Sequence, residues 1–158
     1  MIVADANVVA HFFITGGKTA LARQVRERDS HWIVPEIWRH EFMNILVSSC
    51  LFAKLPREVA GRLWQDAEGM LRGRIYAPDM NGVLATAVER STTAYDAEYV
   101  VLAMAMGVQC VTEDGELQKK YPAIAVCMED YLKQSEGGGM VCEERARYGG
   151  RRRTKNNR

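Results

Sequence analysis

Apolar positions along the chain fall into five short runs, separated by longer segments with helical periodicity. The short runs predict strands at Ile2–Ala4, His31–Val34, Arg74–Ala77, Gln109–Val111 and Ile124–Cys127. The segments between them predict helices, among them Thr19–Glu27, Asn81–Arg90, Tyr95–Met106 and a helical turn at Glu113–Lys120. Short apolar strands that alternate with helices are typical of an α/β protein, in which helices cover both faces of a parallel sheet.

Residues that favour helix ends support these boundaries. Asn7 is expected to cap a first helix directly after the first strand. Proline is favoured in the first turn of a helix, so Pro35 and Pro56 each predict the start of a long helix. The helix Tyr95–Met106 is almost wholly apolar after its first turn, which predicts burial on most sides, and Gly107 is expected to end it.

The character of the sequence changes after Lys133. The segment that follows contains glycine clusters and the basic run RRRTK, with little periodic hydrophobicity. Such a segment cannot bury enough apolar surface to order itself. We therefore expect one folded domain at 1–133 and a disordered basic tail at 134–158. A basic arm that grips RNA is the alternative interpretation of this tail.

Composition and charge narrow the class of protein. The chain is 47% hydrophobic and 26% charged, as expected for a soluble protein. Seven of its 21 basic and three of its 20 acidic residues lie in the tail, so the folded part has a net charge of −3. That charge argues against broad nucleic-acid binding through a basic surface.

Cysteine usage and hydropathy bear on the compartment. The four cysteines form no CxxC pair, which suits free thiols in a reducing environment. No apolar run approaches the roughly 20 residues of a membrane span, and the N-terminus lacks the features of a signal peptide. We expect a cytoplasmic protein without a membrane partner.

Four acidic residues stand where a metal or catalytic site would be built. Asp5 follows the first predicted strand and Asp114 follows the fourth, and the carboxyl ends of parallel strands meet at one edge of a sheet. Glu41 lies on the apolar arc of its helix, where an acid is costly unless it is paired or metal-bound. Asp96 stands in the first turn of the helix Tyr95–Met106.

Each acid also has an ordinary structural explanation. Asp5 and Asp114 suit turns or helix N-termini, and Thr93 with Asp96 three residues later matches a capping box. Their joint arrangement favours function, because like charges at one edge repel each other and raise each other's pKa. A divalent cation removes that repulsion, and oxygen ligands without a His or Cys cluster indicate Mg²⁺ or Mn²⁺.

Motifs for other chemistries are absent from the sequence. His40 and Glu41 begin like HExxH, but Asn44 stands where the second histidine of that zinc motif is required. There is no P-loop, no GxGxxG and no GxSxG. The acids therefore carry the functional hypothesis.

Four stretches of the chain occur in the order IVADANVV, VPEIWRHEFMNIL, AYDAEYVVLAMAMG and CVTEDGEL. No one of them is specific, but the four in this order are. With them the chain resembles the PIN-domain nucleases, and among these the VapC-like toxins of prokaryotic toxin–antitoxin pairs. The resemblance spans roughly residues 1–133.

This resemblance implies a three-layer fold and a metal site. It implies that the metal ligands and catalytic acids are Asp5, Glu41, Asp96 and Asp114. It implies supporting positions at Asn7, Asn44, Thr112 and Glu116. Serine or threonine is common in the family where this chain has Asn7.

The chemistry that the resemblance implies is Mg²⁺-dependent (or Mn²⁺-dependent) endonucleolytic cleavage of RNA, single-stranded or looped, whose phosphates and bases are accessible. A homodimer and inhibition by a cognate antitoxin are implied as well. Basic side chains must guide the RNA backbone, and Arg39, Arg72 and Arg74 are candidates by residue type alone.

Two other functions remain open from the sequence. A receiver-like phosphoacceptor domain also groups acids around Mg²⁺, and Asp79 is the mid-chain residue that such a domain would phosphorylate. Such a domain usually begins with paired acids, however, and Asp5 has no acidic neighbour. A PIN fold that has lost catalysis and serves as a binding scaffold is the third hypothesis, which the presence of all four acids disfavours.

Overall fold

A sheet of five parallel strands lies at the centre of the molecule. The computed structural model describes residues 1–134. In chain order the strands are β1 (Ile2–Ala4), β2 (Trp32–Pro35), β3 (Ile75–Tyr76), β4 (Cys110–Val111) and β5 (Ala125–Val126). Their order across the sheet is β3-β2-β1-β4-β5, with every neighbouring pair parallel. The predicted α/β class with a short parallel sheet is confirmed.

Helices connect the strands and cover both faces of the sheet. Within the described residues they are α1 (Ala6–Phe13), α2 (Thr19–Arg28), α3 (Trp38–Phe52), α4 (Arg57–Leu71), α5 (Met80–Arg90), α6 (Ala94–Met106), α7 (Gly115–Lys120) and α8 (Met128–Lys133). The apolar α6 packs against β1, β2 and β4, whereas α4 packs against β2. The architecture has three layers, as predicted.

An aromatic cluster fixes the start of α3 against α4. The Trp38 ring stacks on Trp64, with centroids 5.6 Å apart, and on Phe42 at 5.9 Å. Trp38 and Phe42 are fully buried. Stacked aromatic pairs combine a large buried area with a preferred geometry. The cluster therefore holds rigidly the turn of α3 that carries Glu41.

Two predicted helix starts are wrong. Asn7 lies inside α1, and Asp5 is the cap, with its carboxylate accepting from the backbone N–H of Asn7 at 3.4 Å. Pro35 is the last residue of β2, where it is paired with Tyr76 of β3, and α3 begins only at Trp38. Asp and Asn are both good helix caps, and proline is tolerated at the end of a strand. The length of β1 and the pairing of β2 with β3, rather than local preference, therefore determine where α1 and α3 begin.

Helix α8 is absent from the sequence prediction, because contacts distant in sequence stabilise it. Arg28 at the end of α2 donates to the carbonyl oxygens of Tyr131 and Leu132, at 2.7 and 2.8 Å. The same guanidinium lies over the Tyr131 ring, 4.9 Å from its centroid. These bonds satisfy carbonyl groups that a six-residue helix leaves without intrahelical partners.

The end of α6 is as predicted. Gly107 closes the helix in the left-handed conformation, with φ of 65°, and its N–H bonds to the carbonyls of Ala103 and Met104. Such a cap favours glycine, which has no Cβ to strain. The chain is thereby turned directly into β4.

The carboxyl ends of β1 and β4 lie at the topological switch point of the sheet. From β1 the chain moves outward to β2 and β3, and it returns to the other side of β1 as β4 and β5. The crevice at the carboxyl ends of β1 and β4 lies where the two windings separate, and ligands of open parallel sheets bind at such points. Asp5 and Thr112 directly follow these two strands.

The predicted disordered tail at 134–158 falls outside the described residues, except for Gln134, which closes α8. Cys50, Cys110 and Cys127 are free thiols, and Cys142 is outside the described part. In residues 1–134 no helix has the length and apolar character needed to cross a membrane.

Replacing Trp38 should test the aromatic cluster. We expect Trp38→Ala to lower the free energy of unfolding by about 3–5 kcal/mol, because it leaves a large cavity in the core. Trp38→Phe should cost clearly less, since it keeps a stacking ring and removes an indole N–H that is buried without a partner. Urea denaturation of both variants measures the difference, and equal losses would contradict the packing described here.

Candidate active site

Asp5 lies at the centre of the candidate site. It follows β1, caps α1 and is 9% exposed. Its backbone N–H donates to the carbonyl of Val111 in β4 at 3.0 Å, which extends the sheet pairing to the site itself. The carboxylate is therefore fixed to the two central strands.

Two side chains hold the Asp5 carboxylate. The Asn7 side-chain amide donates to Oδ2 of Asp5 at 2.7 Å and to Oγ1 of Thr112 at 3.2 Å. The Thr112 hydroxyl, which is fully buried, donates to the same oxygen of Asp5. The structure thus brings the predicted supporting residues Asn7 and Thr112 into contact with the predicted central acid.

Glu41 in the first turn of α3 faces the same region. The Tyr99 hydroxyl donates to its Oε2 at 2.5 Å, and Tyr99 is 1% exposed. Tyr99 was not identified from the sequence. Its signal was the spacing of three residues from Asp96, because residues three apart lie on the same face of a helix.

Asp96 combines the two roles considered for it. Its backbone N–H donates to Oγ1 of Thr93 at 3.0 Å, as the predicted capping box requires. The hydroxyls of Thr93 and Thr92 in turn donate to its Oδ2, at 2.7 and 3.2 Å. Thr93 thus caps α6, which is one half of the predicted capping box, while the Asp96 carboxylate accepts from hydroxyls and acts electrostatically on Asp5 and Glu41.

Asp114 is linked to Asp5 through the Thr112 hydroxyl. Its Oδ1 accepts from the backbone N–H groups of Glu116 and Leu117, at 2.8 and 3.3 Å, and so caps α7. Its own N–H donates to Oγ1 of Thr112 at 3.0 Å. Since that hydroxyl also contacts Asp5, Thr112 joins the two acids that follow the central strands.

Glu113 is a structural residue that the sequence did not single out. Its Oε1 accepts from the N–H of Met128 at 2.9 Å, its Oε2 pairs with Lys18, and its own N–H donates to Oδ1 of Asn7 at 3.1 Å. The loop after β4 is therefore tied to α1, α8 and the segment before α2. These ties hold Thr112 and Asp114 in place.

The remaining predicted residues are more exposed. Asn44 is exposed one turn after Glu41 and lines a groove of about 410 Å³ on α3, together with Ser48 and Phe52. Glu116 pairs with Lys119 at 2.7 Å, and the bond to Lys119 lowers the pKa of Glu116.

The central acids are electrostatically coupled. Burial raises the pKa of Asp5 to about 6, against the pull of the Thr112 hydrogen bond, and the charge of Asp96 adds to the rise. Burial also raises the pKa of Glu41 to about 7, with further contributions from Asp5 and Asp96 and an opposing hydrogen bond from Tyr99. The charge of Asp96 therefore acts on both Asp5 and Glu41, and the charge of Asp5 acts on Glu41, although only Asp5 of the three is buried.

The acids are not gathered into a ready coordination shell. Across residues 1–134, no group of three or more His, Cys, Asp or Glu side chains lies close enough together to hold a metal ion. Hydrogen bonds direct the Asp96 carboxylate toward Thr92 and Thr93, and that of Asp114 toward the backbone of α7. The donor chemistry still fits a hard cation, because every candidate ligand is an oxygen and the buried carboxylates have raised pKa values.

Comparisons with known proteins agree with this architecture. No family model matches the chain. Ribonuclease VapC3 of Pyrobaculum aerophilum is 25% identical over 127 residues, which cover 78% of this chain and 96% of that protein. The crystal structure of PAE2754 from the same organism superposes with a TM-score of 0.67 at 22% identity, covering 84% of this chain and 86% of the other.

Two further solved structures share the fold. FitAcB from Neisseria gonorrhoeae has a TM-score of 0.61 at 16% identity, covering 82% of this chain and 99% of the other. A toxin–antitoxin complex from Klebsiella pneumoniae has a TM-score of 0.58 at 16% identity, covering 81% and 98%. The chain thus has a PIN-like α/β fold. The resemblance to VapC-like proteins drawn from its four sequence stretches is confirmed.

In the absence of divalent cations, the free energy of unfolding should fall between pH 4 and pH 8. The pKa of Asp5 is about 6 in the folded protein against 3.8 for the exposed group, so between these values only the folded state keeps the proton. The stability from this group is complete below about pH 4 and is lost as the pH passes 6. The difference corresponds to roughly 3 kcal/mol.

Thermal unfolding in EDTA at pH 5 and pH 8 measures this effect, and Asp5→Asn is the matched control. The fall in Tm toward pH 8 should be smaller in Asp5→Asn, which keeps a helix cap but does not ionise. Adding Mg²⁺ at pH 8 should raise the Tm of the wild type more than that of the variant. The same pH dependence in both proteins would contradict the burial of an ionisable Asp5.

Tyr99→Phe should weaken Mg²⁺ binding by about 10–100-fold, because an outer hydrogen bond that orients a metal ligand is lost. Calorimetric titration of the purified protein with Mg²⁺ measures this change. Tyr95→Phe is the control, since Tyr95 lies on the same helix but is 58% exposed. Equal affinities in the two variants would show that Tyr99 does not orient Glu41 for a cation.

Proposed function

We propose that the protein is a Mg²⁺-dependent endoribonuclease of the VapC-like toxin type that cleaves single-stranded or looped RNA. The observation that carries the proposal is the buried carboxylate of Asp5 at the carboxyl ends of the central strands, where Thr112 and Asn7 hold it and where the charges of Asp5 and Asp96 also act on Glu41. Carboxylates at such positions, of which that of Asp5 is buried, are costly in a protein that only has to fold. Their retention is explained if a cation and a phosphate bind there.

The residues that would hold the cation are Asp5, Glu41, Asp96 and Asp114. When bound, Mg²⁺ or Mn²⁺ polarises the scissile phosphate and lowers the pKa of a water that attacks it. Asp5 needs no rearrangement of its backbone, because its N–H is already bonded to β4. Asp96 and Asp114 would exchange hydrogen bonds within their own helix turns for metal contacts.

Residues around the acids would orient them. Thr112 and Asn7 fix one oxygen of Asp5, and Tyr99 fixes one oxygen of Glu41. The side-chain donors contact Oδ2 of Asp5 and Oε2 of Glu41, whereas Oδ1 of Asp5 accepts a longer bond of 3.4 Å from the backbone N–H of Asn7. A cation would therefore bind Oδ1 of Asp5 and Oε1 of Glu41. Glu41, with a pKa of about 7, would lose its proton when a cation binds near neutral pH.

The relatives support the proposed substrate and partners. The curated relative is described as a ribonuclease, and one structural neighbour is a toxin–antitoxin complex. Two exposed apolar stripes support protein partners of this chain, namely a cognate antitoxin and a second copy in a homodimer. They are formed by Met43, Val47, Leu51 and Phe52 on α3 and by Met80, Leu84 and Val88 on α5. Cleavage of cellular RNA would place the protein in the cytoplasm.

The receiver-like alternative is disfavoured by the position of Asp79. Asp79 caps α5, with its two oxygens accepting from the N–H groups of Asn81 and Gly82 at 3.2 and 3.1 Å. It follows β3, which lies at the edge of the sheet, two strands away from Asp5. A phosphoacceptor at that position would not share a cation with the central acids.

Replacing single acids tests the proposal. We expect Asp5→Asn and Asp96→Asn each to abolish Mg²⁺-dependent cleavage of a single-stranded RNA while the protein stays folded. Losing a ligand of the reacting cation should reduce the rate by several orders of magnitude. Gel analysis of labelled RNA, with and without EDTA, measures cleavage.

Asp66→Asn on the exposed face of α4 serves as the charge-matched control and should keep full activity. Full activity in both site variants would refute the site. A folded wild-type protein without any Mg²⁺-dependent cleavage of single-stranded or looped RNA would instead indicate a binding scaffold.

A further inference from the structure

Arg90 and Lys120 lie next to each other on the surface beside the candidate site. Arg90 is the last residue of α5 and Lys120 is the last residue of α7. The Lys120 ammonium donates to the carbonyl of Ser91 at 2.6 Å, and the Arg90 guanidinium donates to the carbonyl of Lys120 at 3.4 Å. Both acceptors are neutral carbonyl oxygens, so these two bonds position the cations and do not themselves neutralise them.

The bonding places this pair close to Asp96. Ser91 is followed by Thr92, whose hydroxyl contacts Asp96. Helix α7, which ends at Lys120, begins at the cap Asp114. Burial raises the pKa of Tyr121, the charge of Arg90 lowers it, and the charges of Asp96 and Glu89 raise it further. Arg90 and an acid of the site therefore act on the same ring. The pair therefore lies near the helix turn that carries Asp96, whereas Asp114 stands at the other end of α7.

Other cations near the site are paired with carboxylates. Lys18 pairs with Glu113, and Lys119 pairs with Glu116. Arg39, a candidate from the sequence, bonds to Glu68 at 3.2 Å.

Arg74, another candidate, donates to the carbonyl of Ser30 before β2, which is the edge of the sheet opposite the acids. Arg90 and Lys120 take part in none of the ion pairs formed among residues 1–134.

We propose that Arg90 and Lys120 bind a backbone phosphate of the RNA strand next to the phosphate that is cleaved. This inference rests on the proposed ribonuclease function. The acids repel the rest of the RNA backbone even when a cation holds one phosphate, so the strand needs a positive contact at the rim. A guanidinium and an ammonium side by side supply both planar, bidentate hydrogen bonding and a point charge.

The salt dependence of RNA binding tests this assignment directly. Fluorescence anisotropy of a labelled single-stranded RNA, with Mg²⁺ present and Asp5→Asn as the background to prevent cleavage, gives the slope of log K against log of the KCl concentration. Adding Arg90→Gln and Lys120→Gln together should make the slope shallower by about 0.7, since the loss of one phosphate contact to a single strand accounts for about that much. Binding at 50 mM KCl should weaken by roughly tenfold or more.

Two controls separate a local contact from a change in net charge. Lys119→Gln removes the neighbouring cation that is paired with Glu116, and Lys133→Gln removes a cation paired on α8. Each should leave the slope within about 0.3 of the background value, because an already paired charge releases few counterions from RNA. Thermal unfolding should show that all variants remain folded.

The outcomes are distinguishable from failure of the proposed function. Wild-type cleavage together with an unchanged salt slope in the Arg90 and Lys120 variants would overturn this inference alone. An equal change of slope in Lys119→Gln would also overturn it, since charge rather than position would then decide. Absence of both cleavage and RNA binding in the wild type would overturn the ribonuclease proposal, and this inference with it.

Discussion

The hydrogen bonds that hold the buried carboxylate of Asp5 are the contacts on which the site and the middle of the fold both depend. The backbone of this residue continues the pairing of β1 with β4, its side chain caps α1, and Thr112 and Asn7 hold one of its oxygens. An acid in such a place is costly, because burial raises its pKa to about 6. The fold accepts this cost at the end of its central strand, where the two directions of winding separate.

The polar network around Asp5 also explains why the loop after β4 is well defined. Thr112 contacts Asp5 and receives the N–H of Asp114, while Glu113 bonds to Asn7 and caps α8. Buried networks of this kind stabilise only when their members are satisfied together. The loop is thus coupled to α1. Replacing Glu113, which is not a proposed ligand, would therefore disturb the hydrogen bonds that hold Asp5 through Asn7.

The sequence predicts the elements better than it predicts their ends. Apolar runs and helix-stopping residues such as Gly107 are local signals, and the structure confirms them. Pro35 and Asn7 were misassigned because pairing with β3 and capping by Asp5 overrule local preference. Helix α8 has a local signal in its acidic first turn and basic last turn, but at six residues it also depends on Arg28, which is distant in sequence.

The same distinction applies to the candidate site. The acids could be proposed from their positions after strands and on an apolar helix face, which are properties of the chain itself. Tyr99 and Glu113 could not, because their roles depend on which side chains the fold brings near them. The basic side chains could not be ranked from the sequence either, because Arg39, Arg74 and Arg90 are of the same residue type. In the structure Arg39 bonds to Glu68, Arg74 bonds to the carbonyl of Ser30 before β2, and Arg90 bonds to the carbonyl of Lys120.

A net charge of −3 for the folded part is compatible with a nucleic-acid substrate, because charge acts locally. At physiological salt the field of a surface charge is screened within about 8 Å, so a phosphate responds to the groups it touches rather than to the sum over the domain. Within residues 1–134, Lys18, Arg39 and Lys119 are held by carboxylates, and Arg74 lies at the opposite edge of the sheet. A cation between the acids and two basic side chains at their rim would then be sufficient to position a strand, whatever the charge of the remaining surface.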